Sequence, residues 1–90
     1  MVYLITYDIN TALKDYSAMY DAIKSISGEY QHPLESVWLV NTPMDRIQVF
    51  NRIHDQMDPR DYLLIIEIKG NYYGWLNKNV WEWLKSKLGY

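Results

Sequence analysis

The 90-residue chain has no cysteine, one phenylalanine, four glycines and three prolines. Without a thiol there is no disulfide, no zinc–thiolate centre and no cysteine nucleophile. No glycine-rich phosphate loop occurs, and the metalloprotease and serine-hydrolase signatures are missing too. Only two imidazoles exist, His32 and His54. The longest apolar run, Tyr62 to Ile66, is far too short to cross a bilayer. The start carries neither a basic segment nor a long apolar stretch, so no secretory leader is expected. These features together lead to the expectation of a cytoplasmic protein without membrane contact. Nor is one sign of charge in excess, since eleven acids against nine bases give a net charge of −2. That balance argues against sequence-blind nucleic-acid binding, whose affinity comes from neutralising phosphates. Lys78, Lys85 and Lys87 crowd the C-terminal end, and neither core helix shows the basic face of a DNA reader.

Aromatic residues, by contrast, are abundant. Nine tyrosines, four tryptophans and one phenylalanine make up 16% of the chain. A small core cannot hide that many rings, so several belong at its rim or at an interface. Hydrophobic and charged contents of 49% and 22% are those of a globular domain. The length is that of one domain, 1–90, which we divide into a core, 1–69, and a C-terminal extension, 70–90. Folding at this size buries roughly 60–65% of the unfolded chain's surface, enough for one core.

The hydropathy pattern alternates between two periods. Val2 to Thr6 is β-rich and reads as a strand ending near Asp8. Tyr16, Met19, Tyr20, Ile23 and Ile26 follow the three-and-four spacing of a helix face. Asp15 would cap that helix and Gly28 would stop it. Pro33 splits the next segment into a short strand and a better one from Glu35 to Val40, a hairpin. Thr42 as cap and Pro43 at the first helical position would start a second helix, with Ile47, Phe50, Ile53, His54 and Met57 on its apolar arc. The run from Asp61 to Lys69 is the clearest strand. Tyr62, Leu64, Ile66 and Ile68 alternate there with Leu63, Ile65 and Glu67. The order strand, helix, two strands, helix, strand is the α+β, ferredoxin-like βαββαβ arrangement. Beyond it, residues 71–76 would form an extra edge strand. A last helix, begun near Asn77, would close over the open sheet face or onto a second subunit.

Few residues are candidates for chemistry. His54 on an apolar arc reads as a packed histidine, and His32 as an exposed one in a hairpin. Asp15, Asp45, Asp58 and Asp61 have capping or turn explanations. Asp8 has two competing ones. It can be a turn device for the loop that contains Asn10, or a metal ligand. A single carboxylate makes a poor metal site, but two copies across a two-fold axis could hold one Mg²⁺ or Mn²⁺ that keeps several waters.

The segment YLITYDIN, a helix, SVWLVN, a second helix and DYLLIIEI together resemble the small ferredoxin-like subunit of the CRISPR adaptation complex. They are also similar to the small SinR-type proteins of bacteria and phages and, more distantly, to the virulence-associated protein D ribonucleases. The resemblance spans most of residues 1–69. It implies a homodimer whose C-terminal strand, here residues 71–76, joins the partner's sheet. It also implies that Asp8 is the catalytic, metal-binding aspartate, and that Ser36 and Trp38 occupy the later strand's serine and aromatic positions. The hairpin strand before Ser36 is basic in the CRISPR group but reads EYQHPLE here. The resulting expectation is a divalent-metal-dependent nuclease acting on RNA rather than DNA. Asp8 would hold the metal, and Tyr7, Asn10, Ser36 and Trp38 would contribute to binding. The alternative is a non-catalytic dimeric module that binds a nucleotide, nucleic acid or partner protein through exposed Tyr and Trp.

Overall fold

The computed structural model describes residues 1–10 and 16–89. Their elements are β1 (Val2–Asp8), α1 (Ser17–Ile26), β2 (Tyr30–Leu34), β3 (Val37–Asn41), α2 (Arg46–His54), β4 (Tyr62–Ile68) and α3 (Lys78–Leu88). The four strands form one antiparallel sheet in the order β2-β3-β1-β4, so β1 is central and β4 lies at an edge. This is an α+β architecture. No helix among the described residues is long and apolar enough to cross a membrane.

Strand alternation divides the interior in two. Tyr3, Ile5, Trp38 and Val40 face one side, where they pack with Met19, Ile23 and Ile26 of α1 and with Val49 and Ile53 of α2. Val2 and Leu39 face the other side, where Val80 and Leu84 of α3 cover them, with Leu4, Ile68 and Leu76 at the margin. The sheet is therefore covered by two helices on one face and by α3 on part of the other. The C-terminal helix thus closes onto its own chain. Its far end is tied down by Glu29, which pairs with Lys87 at 3.0 Å and accepts from Asn41 Nδ2 at 2.8 Å.

The Asn41 hydrogen bond, then Lys87, holds the Glu29 carboxyl below the usual carboxylate range. A lowered folded-state pKa means that this tether stabilises the protein above the unfolded value and is lost as pH falls through the folded one. Comparing urea midpoints of the native protein and Glu29→Gln should therefore show a gap at neutral pH that closes on acidification below about pH 4.

Several local expectations are revised. Helix α2 starts at Arg46, not at Pro43, because Asp45 is the cap. Asp45 Oδ1 accepts from the Ile47 and Gln48 N–H groups, at 2.9 Å each, and Gln48 Oε1 accepts from Asp45 N–H at 2.9 Å. That reciprocal box satisfies orphan donors that Thr42 would have served singly. Thr42 is buried, and its Oγ1 accepts from Met44 N–H at 3.2 Å in the preceding turn. Asp45→Ala is expected to cost about 1 kcal/mol in a urea titration. The inward arc of α2 is Val49 and Ile53, while Ile47 and His54 are exposed. In a nine-residue helix, two adjacent apolar arcs are equally periodic. His54 stacks on Phe50 at 4.9 Å instead of packing into the core.

Helix α1 ends when Ser27 turns to extended backbone, so Gly28 is not a left-handed stop; the glycine that plays this role is Gly89, after α3, with φ 79°. The expected cap, Asp15, lies outside the described residues. Residues 71–77 are irregular, not a strand. Tyr72 of this segment stacks on Trp81 with centroids 6.0 Å apart. Glu35 and Ser36 form the two-residue turn of the hairpin, not the start of β3, and the pairing of β2 with β3 shifts register between Gln31 and Leu34, across Pro33.

Candidate functional site

Strand β1 outruns its neighbour on one side. Pairing with β3 stops at Thr6↔Val37, whereas pairing with β4 continues through Tyr7↔Leu63 to Asp8↔Tyr62. The tight Glu35–Ser36 turn falls beside the unpaired end, which leaves a notch there. Within it lies a cleft of ≈ 200 Å³ walled by Tyr7, Ile9, Tyr16 and Tyr20, with Asp8, Glu35 and Ser36 completing its lining. A second hollow, of ≈ 240 Å³, lies where Thr6, Tyr7 and Asp8 meet Tyr62, Leu63 and Leu64. Asp8 belongs to both. Neither hollow is lined by a lysine or arginine among the described residues.

Alternation puts Asp8 in register with Thr6 and Leu4, away from α1 and α2. It is exposed, and its carboxylate has no hydrogen bond or ion pair among the described residues. The turn-organising task that Asp8 might have had falls to other groups. Asn10 N–H donates to Asp61 Oδ1 at 2.8 Å, and Asn10 Nδ2 donates to the Arg60 carbonyl at 3.0 Å. Asp61 Oδ2 also accepts from Asp58 N–H at 3.1 Å, so Asn10 fastens the end of β1 to the turn before β4. Its side chain is thus engaged in structure, and it does not line the cleft.

Trp38 is also a structural residue, only 2% exposed. Its Nε1–H donates to the Tyr7 hydroxyl at 3.2 Å, which in turn donates to the Glu35 carbonyl at 3.1 Å. The same carbonyl is 3.0 Å from His32 Nε2, and the His32 ring stacks on Trp38 at 3.9 Å and 13°. Tyr20 meets both rings edge-on. This cluster sets the hairpin turn against the strand end and so shapes the cleft. Burial, then the Tyr20 hydroxyl nearby, pushes the Tyr7 phenol well above its ordinary range. Tyr7 therefore stays neutral, with its hydroxyl held between Trp38 and the Glu35 carbonyl as part of the cleft wall.

Of the residues singled out from the sequence, the structure brings together Tyr7, Asp8 and Ser36. Tyr16, Tyr20 and Glu35 join them, and Tyr62 lies opposite Asp8. Tyr16, the cap of α1, and Tyr20 in its first turn had a legible signal, since i and i+4 share one helix face, and their centroids are 5.6 Å apart. Among the described residues, no group of three or more His, Cys, Asp or Glu side chains could hold a metal within one chain. No protein-family model matches the chain, and no curated protein matches it.

Proposed function

We propose that this is a ferredoxin-like domain that pairs with a second copy through the uncovered half of its sheet and acts as a divalent-metal-dependent ribonuclease, with one Asp8 from each chain holding the ion. The observation that carries this reading is the position of Asp8. It is a carboxylate without a partner among the described residues, at the end of the central strand, on the face that α1 and α2 leave bare and α3 covers only elsewhere. Element order and strand order both suit the ferredoxin-like class. On the same bare face Tyr62, Leu64 and Ile66 are 70%, 54% and 46% exposed, a contiguous apolar row on one strand. Such a contiguous exposed apolar row is a reason for self-association.

The donor set fits a hard cation. Two carboxylates from two chains leave most coordination positions to water, which suits Mg²⁺ or Mn²⁺. When bound, such an ion supplies an activated water and charge stabilisation for phosphodiester cleavage. The chain's own contribution is positional. Asp8 is fixed by its pairing with Tyr62, and the apolar row beside it excludes water on pairing, which strengthens the carboxylate's attraction for a cation. The acidic balance and the tyrosine-lined cleft favour unpaired RNA read by stacking over duplex DNA read through phosphates.

Incubating the protein with labelled RNA and DNA, with Mg²⁺, Mn²⁺ or chelator, tests the activity. RNA cleavage that chelator abolishes is the expected result. Leu64→Glu, on the bare face, is expected to turn a dimer into a monomer by native mass spectrometry while preserving the fold by circular dichroism. A strictly monomeric native protein would contradict the reading.

A second reading is favoured by Tyr73 and Trp75, both essentially fully exposed beside an apolar groove of ≈ 310 Å³ between α3 and the sheet. In this reading the domain is a non-catalytic dimeric scaffold and its rings are contact residues. Intact activity in a Tyr73→Ala/Trp75→Ala double variant, with lost activity in an Asp8 variant, would count against it.

A further inference from the structure

We infer that the cleft at the end of β1 seats one unpaired nucleobase, guanine by preference, and so sets the sequence specificity of the ribonuclease reading on which this inference rests. Size is the first consideration. At ≈ 200 Å³ the cleft falls below the roughly 300 Å³ at which pockets for whole small molecules begin, so it suits a single planar group. Its walls are the second. Tyr7, Tyr16 and Tyr20 offer ring surface; Tyr16, the cap of α1, and Tyr20 stack on each other at a 22° interplanar angle, so each turns one face to its partner and Tyr16 keeps its outer face for a base. A base against such a wall gains stacking whatever its identity.

Selectivity comes from the polar rim, which is rich in acceptors. Glu35 is exposed on the hairpin turn, and its carboxylate has no partner among the described residues. The Tyr7 hydroxyl is already committed at both ends, to Trp38 and to the Glu35 carbonyl, and cannot offer a second donor. A free carboxylate pairs best with two adjacent N–H donors. Guanine alone presents these, at N1 and N2, while uracil presents one N–H flanked by carbonyls that the carboxylate repels. No cationic side chain among the described lining residues would draw a phosphate into the cleft. The sugar and phosphate are therefore left outside, at the strand end that carries Asp8. Because Asp8 borders both this cleft and the hollow on the bare face, recognition and the proposed metal position share one wall.

The test uses uncharged nucleosides, with chelator present and no cleavage step. Guanosine, adenosine, cytidine and uridine are titrated against the full chain and followed by ligand-observed NMR. Guanosine is expected to bind about tenfold or more tightly than uridine. Glu35→Gln should bring that ratio close to one while keeping weak, indiscriminate binding, and Tyr16→Leu should weaken all four nucleosides together. Glu35 is exposed in a turn, so its variant is expected to fold. Equal binding of all nucleosides, no binding, or an unchanged ratio in Glu35→Gln would overturn the inference. So would displacement of guanosine by tetramethylammonium at lower concentration, which would mark the cleft as an organic-cation site. Because no metal or cleavage enters, the two proposals fail separately. Nucleoside selectivity without RNA cleavage would refute the ribonuclease alone, and cleavage without selectivity would refute the base seat alone.

Discussion

Asp8→Asn is expected to lower metal-dependent RNA cleavage at least about 100-fold while leaving the fold and the dimer unchanged, because a bound ion contributes several kcal/mol of transition-state stabilisation and each 1.36 kcal/mol is tenfold in rate. The substitution keeps the shape of the side chain and removes its charge. Since no group among the described residues bonds to the Asp8 carboxylate, the variant is expected to fold as the native chain does. The same change at a structural carboxylate would behave in the opposite way. Asp61→Asn would lose one of the two oxygens that accept from Asn10 and Asp58 N–H, and so would weaken the turn and leave the chemistry intact. The assay is single-turnover cleavage of labelled RNA at saturating Mg²⁺, run beside thermal melts of both proteins. Equal rates for Asp8→Asn and the native chain would refute the catalytic assignment.

The largest effect on stability is expected at Trp38. Trp38→Ala removes a side chain that touches the rings of Tyr20, Tyr30 and His32 and the hydroxyl of Tyr7. Truncating a buried tryptophan costs about 3–5 kcal/mol. Against the roughly 5–15 kcal/mol available to a domain, that is a large fraction, and the variant should unfold at a much lower urea concentration. Trp38→Phe keeps a ring but removes the indole N–H, for a loss on the order of 1–2 kcal/mol. Urea titrations of the three proteins measure both. A loss in Trp38→Ala no larger than that in Trp38→Phe would show that ring packing is not what Trp38 provides.

Trp38 also shows what hydropathy patterns can and cannot express. Its place on a central strand was legible, since the alternation of β3 puts Trp38 and Val40 on one face and Leu39 on the other. Whether a tryptophan there would be core or contact surface was not, because that depends on whether α1 lies over it. The long-period elements were legible for the same reason as β3. Spacing of three and four fixed the inward face of α1, and the alternation of β4 separated Leu63 and Ile65 from Tyr62, Leu64 and Ile66. The start of α2 was misread because Thr42–Pro43 and Asp45–Gln48 are both good helix openings, and the reciprocal capping box prevails. Residues 71–76 have strand composition but are irregular in a single chain, where Tyr72 turns back onto Trp81.

The candidate site was half legible. The sequence leaves Asp8 open between a loop organiser and a metal ligand, and the structure gives the loop-organising task to Asn10 and Asp61. The cleft could not be read from the sequence. It exists because β3 begins at Val37 and stops pairing with β1 before Tyr7 and Asp8, a register fact set by the Glu35–Ser36 turn. Nothing in the spacing of Asp8, Tyr16, Tyr20 and Glu35 announces that one notch gathers them.

Metal stoichiometry decides whether two chains share one ion through Asp8. Titrating Mn²⁺ into the purified protein and following the free ion by electron paramagnetic resonance should give one bound ion per two chains, and Asp8→Asn should abolish that binding. One ion per chain, or equal binding by Asp8→Asn, would contradict the account.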